Sequence, residues 1–134
     1  MEENKQLMSF YQYVQENGKL RTVAHAQRWA DGVLRTLGIC LDRGTKKKLA
    51  AALPDELASS LTRVFWLLHF RDPHLGKEQF QRMAARRSGN TDAAFAYYPT
   101  LAVFGGIKRI VNDEVQREVA ENLAPEISEL WQKG

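Results

Sequence analysis

The sequence contains a single cysteine, Cys40, so no disulfide can form within the chain. Its neighbours are apolar, which predicts a buried, unreactive thiol and fits a reducing compartment. No apolar run approaches the ~20 residues that a membrane-spanning helix needs, and the polar N-terminus has no signal-peptide core. These absences argue against a disulfide-stabilised fold and predict a cytoplasmic protein with no membrane association.

Motifs that carry catalytic chemistry are also missing. No arrangement of serine, cysteine and histidine suggests a nucleophile, and no glycine-rich loop suggests a phosphate site. His69, Asp72 and His74 are metal-ligand types near a predicted turn, but their spacing matches no established zinc pattern, so a solvated linker is favoured. We therefore predict no catalytic residue, no metal site and no cofactor, and we expect the protein not to be an enzyme.

The composition is that of an ordinary globular protein, with 44% apolar and 26% charged residues among 134. Nineteen basic residues against 16 acidic ones give a net charge of +3. This excess permits contact with an anionic partner without requiring one. The length suits one domain, which we place at residues 1–134.

The strongest positive signal is an apolar pattern that recurs at a spacing of 70 residues, from Phe10 to Trp131. Apolar positions recur at intervals of three and four, and the alternation typical of strands is missing. This predicts an all-α fold of about eight helices in two tandem four-helix repeats, packed as one pseudo-symmetric bundle. Repeat one spans about 4–66, the linker about 67–76 and repeat two about 77–132. Each half has about 60 residues, a size at which a unit alone is marginal, so the two halves are expected to share a core or pack closely.

Capping residues place the helix ends. The first helix is predicted over 4–17, with Gly18 at its C′ position, and the second begins after Thr22 as the N-cap. The third covers 45–53, and Pro54 separates it from the fourth. In the second half, the fifth helix ends near 88–89, the seventh is capped by Asn112, and the eighth opens at Pro125.

The sixth helix breaks the correspondence between the halves. It is predicted to begin near 90–92, which places Pro99 inside it, where a proline removes a hydrogen bond and kinks a helix. Gly105 and Gly106 follow at positions that are Arg35 and Thr36 in the first half. We expect this helix to be bent, closely approached by a neighbour, or interrupted.

Five segments of the chain have a recognisable order and spacing of apolar residues. They are Val33-Leu34-Arg35-Thr36-Leu37, Leu49-Ala50-Ala51-Ala52-Leu53-Pro54-Asp55-Glu56-Leu57, Phe80-Gln81-Arg82-Met83-Ala84, Leu101-Ala102-Val103-Phe104 and Glu121-Asn122-Leu123-Ala124-Pro125-Glu126. Together they resemble the uncharacterised bacterial family known as domain of unknown function 2267, over about Phe10 to Trp131. The proline of the second Leu-Pro signature of that family falls one residue late here, as Leu123-Ala124-Pro125. The resemblance implies a helical repeat protein of the bacterial cytoplasm, and it brings no established activity or catalytic residues.

Two groups of residues are candidate binding surfaces. Tyr97, Tyr98 and Pro99 replace Gln27, Arg28 and Trp29 of the first half, and aromatic rings with a polar tip favour pockets and interfaces. The competing interpretation, which we favour for the tyrosines, is that they cover the seam between repeats. Trp66 and Trp131 belong to the same candidate ligand or partner surface, and with Phe70 they seal that seam or form a contact between copies of the chain. Two groups of basic residues are possible anion-binding groups or solvated helix faces. They are Lys46, Lys47 and Lys48 in one group and Arg82, Arg86 and Arg87 in the other. Glu114, Glu118 and Glu121 occupy the region that corresponds to the lysine run, so the repeats are electrostatically unlike or attract each other between copies.

The sequence does not identify the function, and these features leave three hypotheses about it. The leading one is a non-catalytic protein-interaction module, an adaptor or regulator that binds a protein partner or associates with itself. The second is a nucleic-acid-associated protein that uses the two basic groups. The third is a small-ligand-binding bundle with a pocket beside Tyr98 and Pro99.

Overall fold

The computed structural model describes residues 2–63, 72–89 and 92–134, and every regular element in these ranges is an α-helix. The all-helical prediction and the number of helices are therefore confirmed for the described residues. None of these helices is long and apolar enough to cross a bilayer. The helices are α1 (Glu2–Asn17), α2 (Val23–Cys40), α3 (Arg43–Ala51), α4 (Asp55–Thr62), α5 (Lys77–Arg87), α6 (Tyr97–Lys108), α7 (Asp113–Asn122) and α8 (Pro125–Lys133).

Side-chain caps fix three of the helix starts. The Thr22 hydroxyl accepts a hydrogen bond from the backbone N–H of His25 at 3.0 Å, and the Asn112 side chain accepts one from Val115 at 2.9 Å. Both caps were predicted. The helix α3 starts two residues earlier than expected, because the Asp42 carboxylate accepts a bond from the Thr45 N–H at 2.7 Å and so acts as the cap.

The predicted start of the sixth helix is wrong. Residues 93–96 form turns, and α6 begins only at Tyr97. Pro99 is therefore in the first turn, where its missing N–H has no intrahelical partner to lose. The proline does not kink the helix, which continues without interruption to Lys108. The segment before α6 contains three alanines, and their high helix propensity is the reason that a helix was predicted there.

The glycines of α6 are closely approached by side chains of α1, which was one of the three outcomes expected for this helix. A Cβ built on Gly106 would lie 2.7 Å from the Phe10 ring, and one on Gly105 would lie 2.8 Å from the Tyr13 hydroxyl. Both rings belong to α1, which packs along α6. On the other side of the molecule α5 packs against α2, where Gly32 admits Ser88 to a similarly close approach. The first helix of each half thus lies against the second helix of the other.

One core joins all eight helices. Helices α2 and α6 each contact several others and supply many of its largest side chains. The Phe104 ring lies 5.7 Å from Phe80 and 5.3 Å from Trp131, so that α5, α6 and α8 meet there. Cys40 is buried beside the Thr36 carbonyl, as predicted.

Polar contacts join the N-cap and body of α3 to α7. The Asp42 backbone N–H donates to the Asn122 side-chain oxygen at 2.7 Å, and the Asn122 amide donates back to the Asp42 carboxylate at 2.8 Å. The Lys48 ammonium lies 3.1 Å from the Glu118 carboxylate, 70 residues away in the sequence. These opposite charges therefore attract each other within one chain, whereas the attraction was expected between separate copies of the chain.

Candidate functional site

Tyr97 and Tyr98 form an edge-to-face pair at the start of α6, with ring centroids 5.3 Å apart. Tyr98 is 45% exposed and is, with Met8, one of two exposed large apolar side chains among the described residues. Pro99 is buried just behind them. The pair therefore combines one half-buried ring with one ring that remains open to solvent.

Lysines surround these rings. The Lys19 ammonium lies 4.2 Å from the centre of the Tyr98 ring, and that of Lys77 lies 5.3 Å from the Tyr97 ring. Both are at cation–π distance. Neither lysine forms an ion pair in the part of the chain that the structure describes. We name Lys19, Lys77, Tyr97 and Tyr98 the tyrosine–lysine face.

The backbone at the end of α1 positions Lys19. Lys19 has a φ of 58°, the left-handed conformation that often ends a helix. The sequence suggested Gly18 for that role, but Gly18 instead provides room for the backbone of Pro99, whose Cα would lie 3.3 Å from a Cβ built on it. This close packing brings Lys19 onto the Tyr98 ring. Lys19 and Lys77 were not predicted, because each is far from the tyrosines in the sequence.

Trp131 of the predicted surface does not join this face. Trp131 is only 1% exposed and packs in the core against Phe104. Trp66 and Phe70 lie outside the described residues, as does His69 of the linker. No group of three metal-ligating side chains occurs in the described ranges.

The lysine run of α3 has three different environments. Lys46 is 7% exposed, and burial, followed by the charge of Arg43, lowers the pKa of Lys46. Lys48 is paired with Glu118. Lys47 is exposed. The structure therefore does not present the three ammonium groups together as one exposed patch.

Of the arginines of α5, Arg87 lies where that helix contacts α2. Arg82, Arg86 and Arg87 are exposed, and the Arg87 guanidinium donates to the Thr36 hydroxyl at 3.3 Å. Although Arg87 as a whole is exposed, its guanidinium is partly buried against Thr36. This partial burial lowers the pKa of Arg87, and the charges of Arg35 and Arg86 lower it further. Positive charge is thus concentrated at this crossing, although Arg35 is itself paired with Asp31 at 3.1 Å.

A cleft of about 480 Å³ lies beside the last turn of α8, and no sequence pattern predicted it. The Lys108 ammonium donates to the Trp131 carbonyl at 2.6 Å, and the Gln116 amide donates to the Lys108 carbonyl at 2.9 Å. Burial lowers the pKa of Lys108. These bonds satisfy carbonyls at the ends of α6 and α8, so Lys108 and Gln116 act as helix caps.

A second cleft, of about 300 Å³, lies between α1, α2 and α4. Tyr11 is 3% exposed and hydrogen-bonds to Glu56. Burial, then the charge and hydrogen bond of Glu56 and the charge of Asp31, raise the pKa of Tyr11, so its hydroxyl stays protonated and donates. The Ser60 hydroxyl donates to Asp31 at 2.7 Å. One sequence signal points here: in the 70-residue register, Asp31 and Ser60 correspond to leucines.

The fold defines an all-helical bundle protein over the described residues. The chain belongs to the family described as Uncharacterized conserved protein (DUF2267), whose model matches residues 8–130. This confirms the resemblance found in the sequence. No curated protein matches the chain. The function of the protein is unknown, and the family assigns none.

Proposed function

We propose that the protein is a non-catalytic protein-binding module and that it binds an acidic segment of its partner through the tyrosine–lysine face. The observation that supports this most directly is the exposed Tyr98 ring beneath the Lys19 ammonium, 4.2 Å from its centre. Tyrosine contributes a large, stiff contact area and a polar tip, which interfaces favour. An unpaired lysine beside it complements a carboxylate of the partner.

The surroundings of the face favour a protein partner over a nucleic acid. The Glu126 carboxylate accepts the Lys77 backbone N–H at 2.9 Å, and Glu129 pairs with Lys133 at 3.1 Å. The hydrogen bond and charge of Glu129, and then the nearby Tyr97, raise the pKa of Lys133. Carboxylates this close repel a continuous phosphate backbone, whereas a short acidic segment can align with the lysines alone.

We also infer that the two halves are copies of one four-helix unit. Helices α3 and α7 begin 70 residues apart, as do α4 and α8. Lys19 and Gly89, which are the two left-handed residues in the described ranges, are also 70 apart. On a two-fold axis each position meets its own counterpart, and identical charges there would repel. The Lys48–Glu118 pair fits such an axis, with the halves having diverged to opposite charges.

The binding proposal is tested by cross-linking and affinity purification from cells of the source organism, comparing the unaltered chain with Tyr98→Ala and Lys19→Ser. Met8→Ala is the matched control, because Met8 is equally exposed, at 46%, but lies on α1 away from the lysines that flank the tyrosines. We expect a defined protein to be retained by the unaltered chain and Met8→Ala, and lost from both face variants. Circular dichroism checks that all variants are folded.

Two outcomes contradict the proposal. In one, all four chains recover the same proteins, so the face makes no contribution. In the other, recovery depends on nucleic acid and disappears after nuclease treatment, which favours the basic residues of α3 and α5 instead. A synthetic acidic peptide from the recovered partner should bind with an affinity that falls as salt is added, because surface charges are screened.

A further inference from the structure

The cleft between α1, α2 and α4 is polar where the fold does not require it to be. In the 70-residue register, Asp31 corresponds to Leu101 and Ser60 to Leu130. Leu130 is 1% exposed and is part of the core. At the same positions of the first half, a carboxylate and a hydroxyl hydrogen-bond to each other beside a cleft of about 300 Å³. Natural chains break their own packing pattern most often at functional sites.

The charges of this cleft are partly compensated. Arg35 lies 3.1 Å from Asp31 and neutralises it, and Ser60 completes the network. Glu56 accepts the Tyr11 hydrogen bond but has no cationic partner within the described ranges. Arg63, which lines the same cleft, forms no ion pair there either. A negative and a positive side chain thus border one cleft without pairing with each other.

We propose that this cleft binds a small zwitterion, a molecule with one ammonium and one carboxylate group, of the size of a free α-amino acid. The Glu56 carboxylate accepts hydrogen bonds from the ammonium group, and Gln27 lines the same cleft. The Arg63 guanidinium pairs with the carboxylate, for which its planar fork is suited. The volume of the cleft is at the lower end of the range for small-molecule sites. This site is separate from the tyrosine–lysine face.

The charge pattern sets the ligand controls. Thermal unfolding is followed with a panel of free α-amino acids, with their N-acetyl derivatives, which lack the ammonium charge, and with their methyl esters, which lack the carboxylate. We expect at least one free amino acid to raise the melting temperature, because a ligand that binds only the native state stabilises it. Both blocked forms should have little effect. The proposal is wrong if no amino acid shifts the melting temperature, or if either blocked form shifts it equally.

Variants of exposed side chains locate the site. Glu56→Gln keeps an acceptor for Tyr11 and removes only the charge, and Arg63→Gln removes the other charge. We expect each to weaken binding of the active amino acid, measured by calorimetry, by about tenfold or more. Glu114→Gln, an exposed change on α7, is the control and should leave the affinity unchanged. Unchanged affinity in both cleft variants would place the binding elsewhere and overturn the assignment.

A final variant transfers the pattern of the second half into the first. Asp31→Leu combined with Ser60→Leu should raise the melting temperature of the free protein and, because the larger apolar side chains would occupy the cleft between Glu56 and Arg63, weaken its response to the amino acid. A lower melting temperature, or failure to fold, would show that the polar pair supports the structure and would count against the proposal. Because Glu56 and Arg63 are exposed, their variants remain informative in that case.

Discussion

Replacing Gly32 by alanine should force α2 and α5 apart, because the two helices are in contact at that residue. A Cβ built on Gly32 would lie 2.3 Å from the Ser88 hydroxyl oxygen, 2.8 Å from the Ala84 carbonyl oxygen and 3.0 Å from the Ser88 nitrogen. The hydroxyl can rotate away, but the backbone atoms can only move together with α5. The same crossing buries Thr36 and places Arg87 on it, so a shift there propagates along both helices.

Two opposing effects set the magnitude. Alanine is favoured over glycine inside a helix by about 1 kcal/mol. Overpacking a filled interior costs about 1–3 kcal/mol, and a clash with backbone belongs at the upper end. We therefore expect Gly32→Ala to lower the free energy of unfolding by about 1–2 kcal/mol. For a chain of this size that corresponds to a fall in melting temperature of roughly 4–8 °C.

Thermal and urea unfolding monitored by circular dichroism measure the effect. Gly44→Ala is the matched control, because a Cβ there meets nothing closer than the Asp42 carboxylate at 3.7 Å and should be neutral or slightly stabilising. Adding Ser88→Ala to Gly32→Ala removes the 2.3 Å contact but leaves the Ala84 carbonyl, so only part of the stability should return. If Gly32→Ala proves as stable as the unaltered chain, the close crossing does not constrain the fold and the reasoning is refuted.

Three further predictions concern charge, pH and assembly. Lys48→Glu should destabilise the protein by up to about 1 kcal/mol at low salt, and Glu118→Lys in the same chain should restore the loss, which denaturation with and without salt will measure. The pKa of Tyr11 is raised in the folded state, so the unfolded chain loses this proton first as the pH rises. The free energy of unfolding should therefore fall as the pH rises above about 10. The fall should be smaller in Tyr11→Phe, and an identical alkaline stability profile of that variant would contradict this. Fragments 1–71 and 72–134 should each be largely unfolded alone and become helical on mixing, since α1 packs on α6 and α5 on α2; independent folding of either fragment would show that the halves do not depend on each other.

Most of the helices could be predicted because their signals are local. Thr22 and Asn112 cap helices through the backbone three residues later, and such short-range bonds are recognisable from residue type and spacing. The same reasoning failed at the start of α6. The alanine-rich segment before α6 has high helix propensity, but residues 93–96 form turns instead. The helix therefore begins at Tyr97, and Pro99 lies in its first turn. Propensity is a weak guide where proline and tertiary packing set the start of the helix.

The candidate sites could be predicted only in part, because their members are distant in the sequence. Tyr97 and Tyr98 were predicted as a surface from their disagreement with the first half, but Lys19 and Lys77 were not. Trp131 appeared equally suited to an interface and is buried. An aromatic residue has the same appearance in a sequence whether its ring completes the core or extends beyond it.

By itself, the sequence determined that this protein is helical, which face of each helix is apolar, and at which positions the two halves differ, because all three depend on residue spacing along the chain. Only the tertiary structure decided that α1 lies on α6 and α5 on α2, that Lys48 meets Glu118, and that Lys19 covers Tyr98. Periodicity identifies a surface that must be buried but not the surface that buries it. That choice depends on the fit of whole helices, such as the space that Gly32 leaves for Ser88.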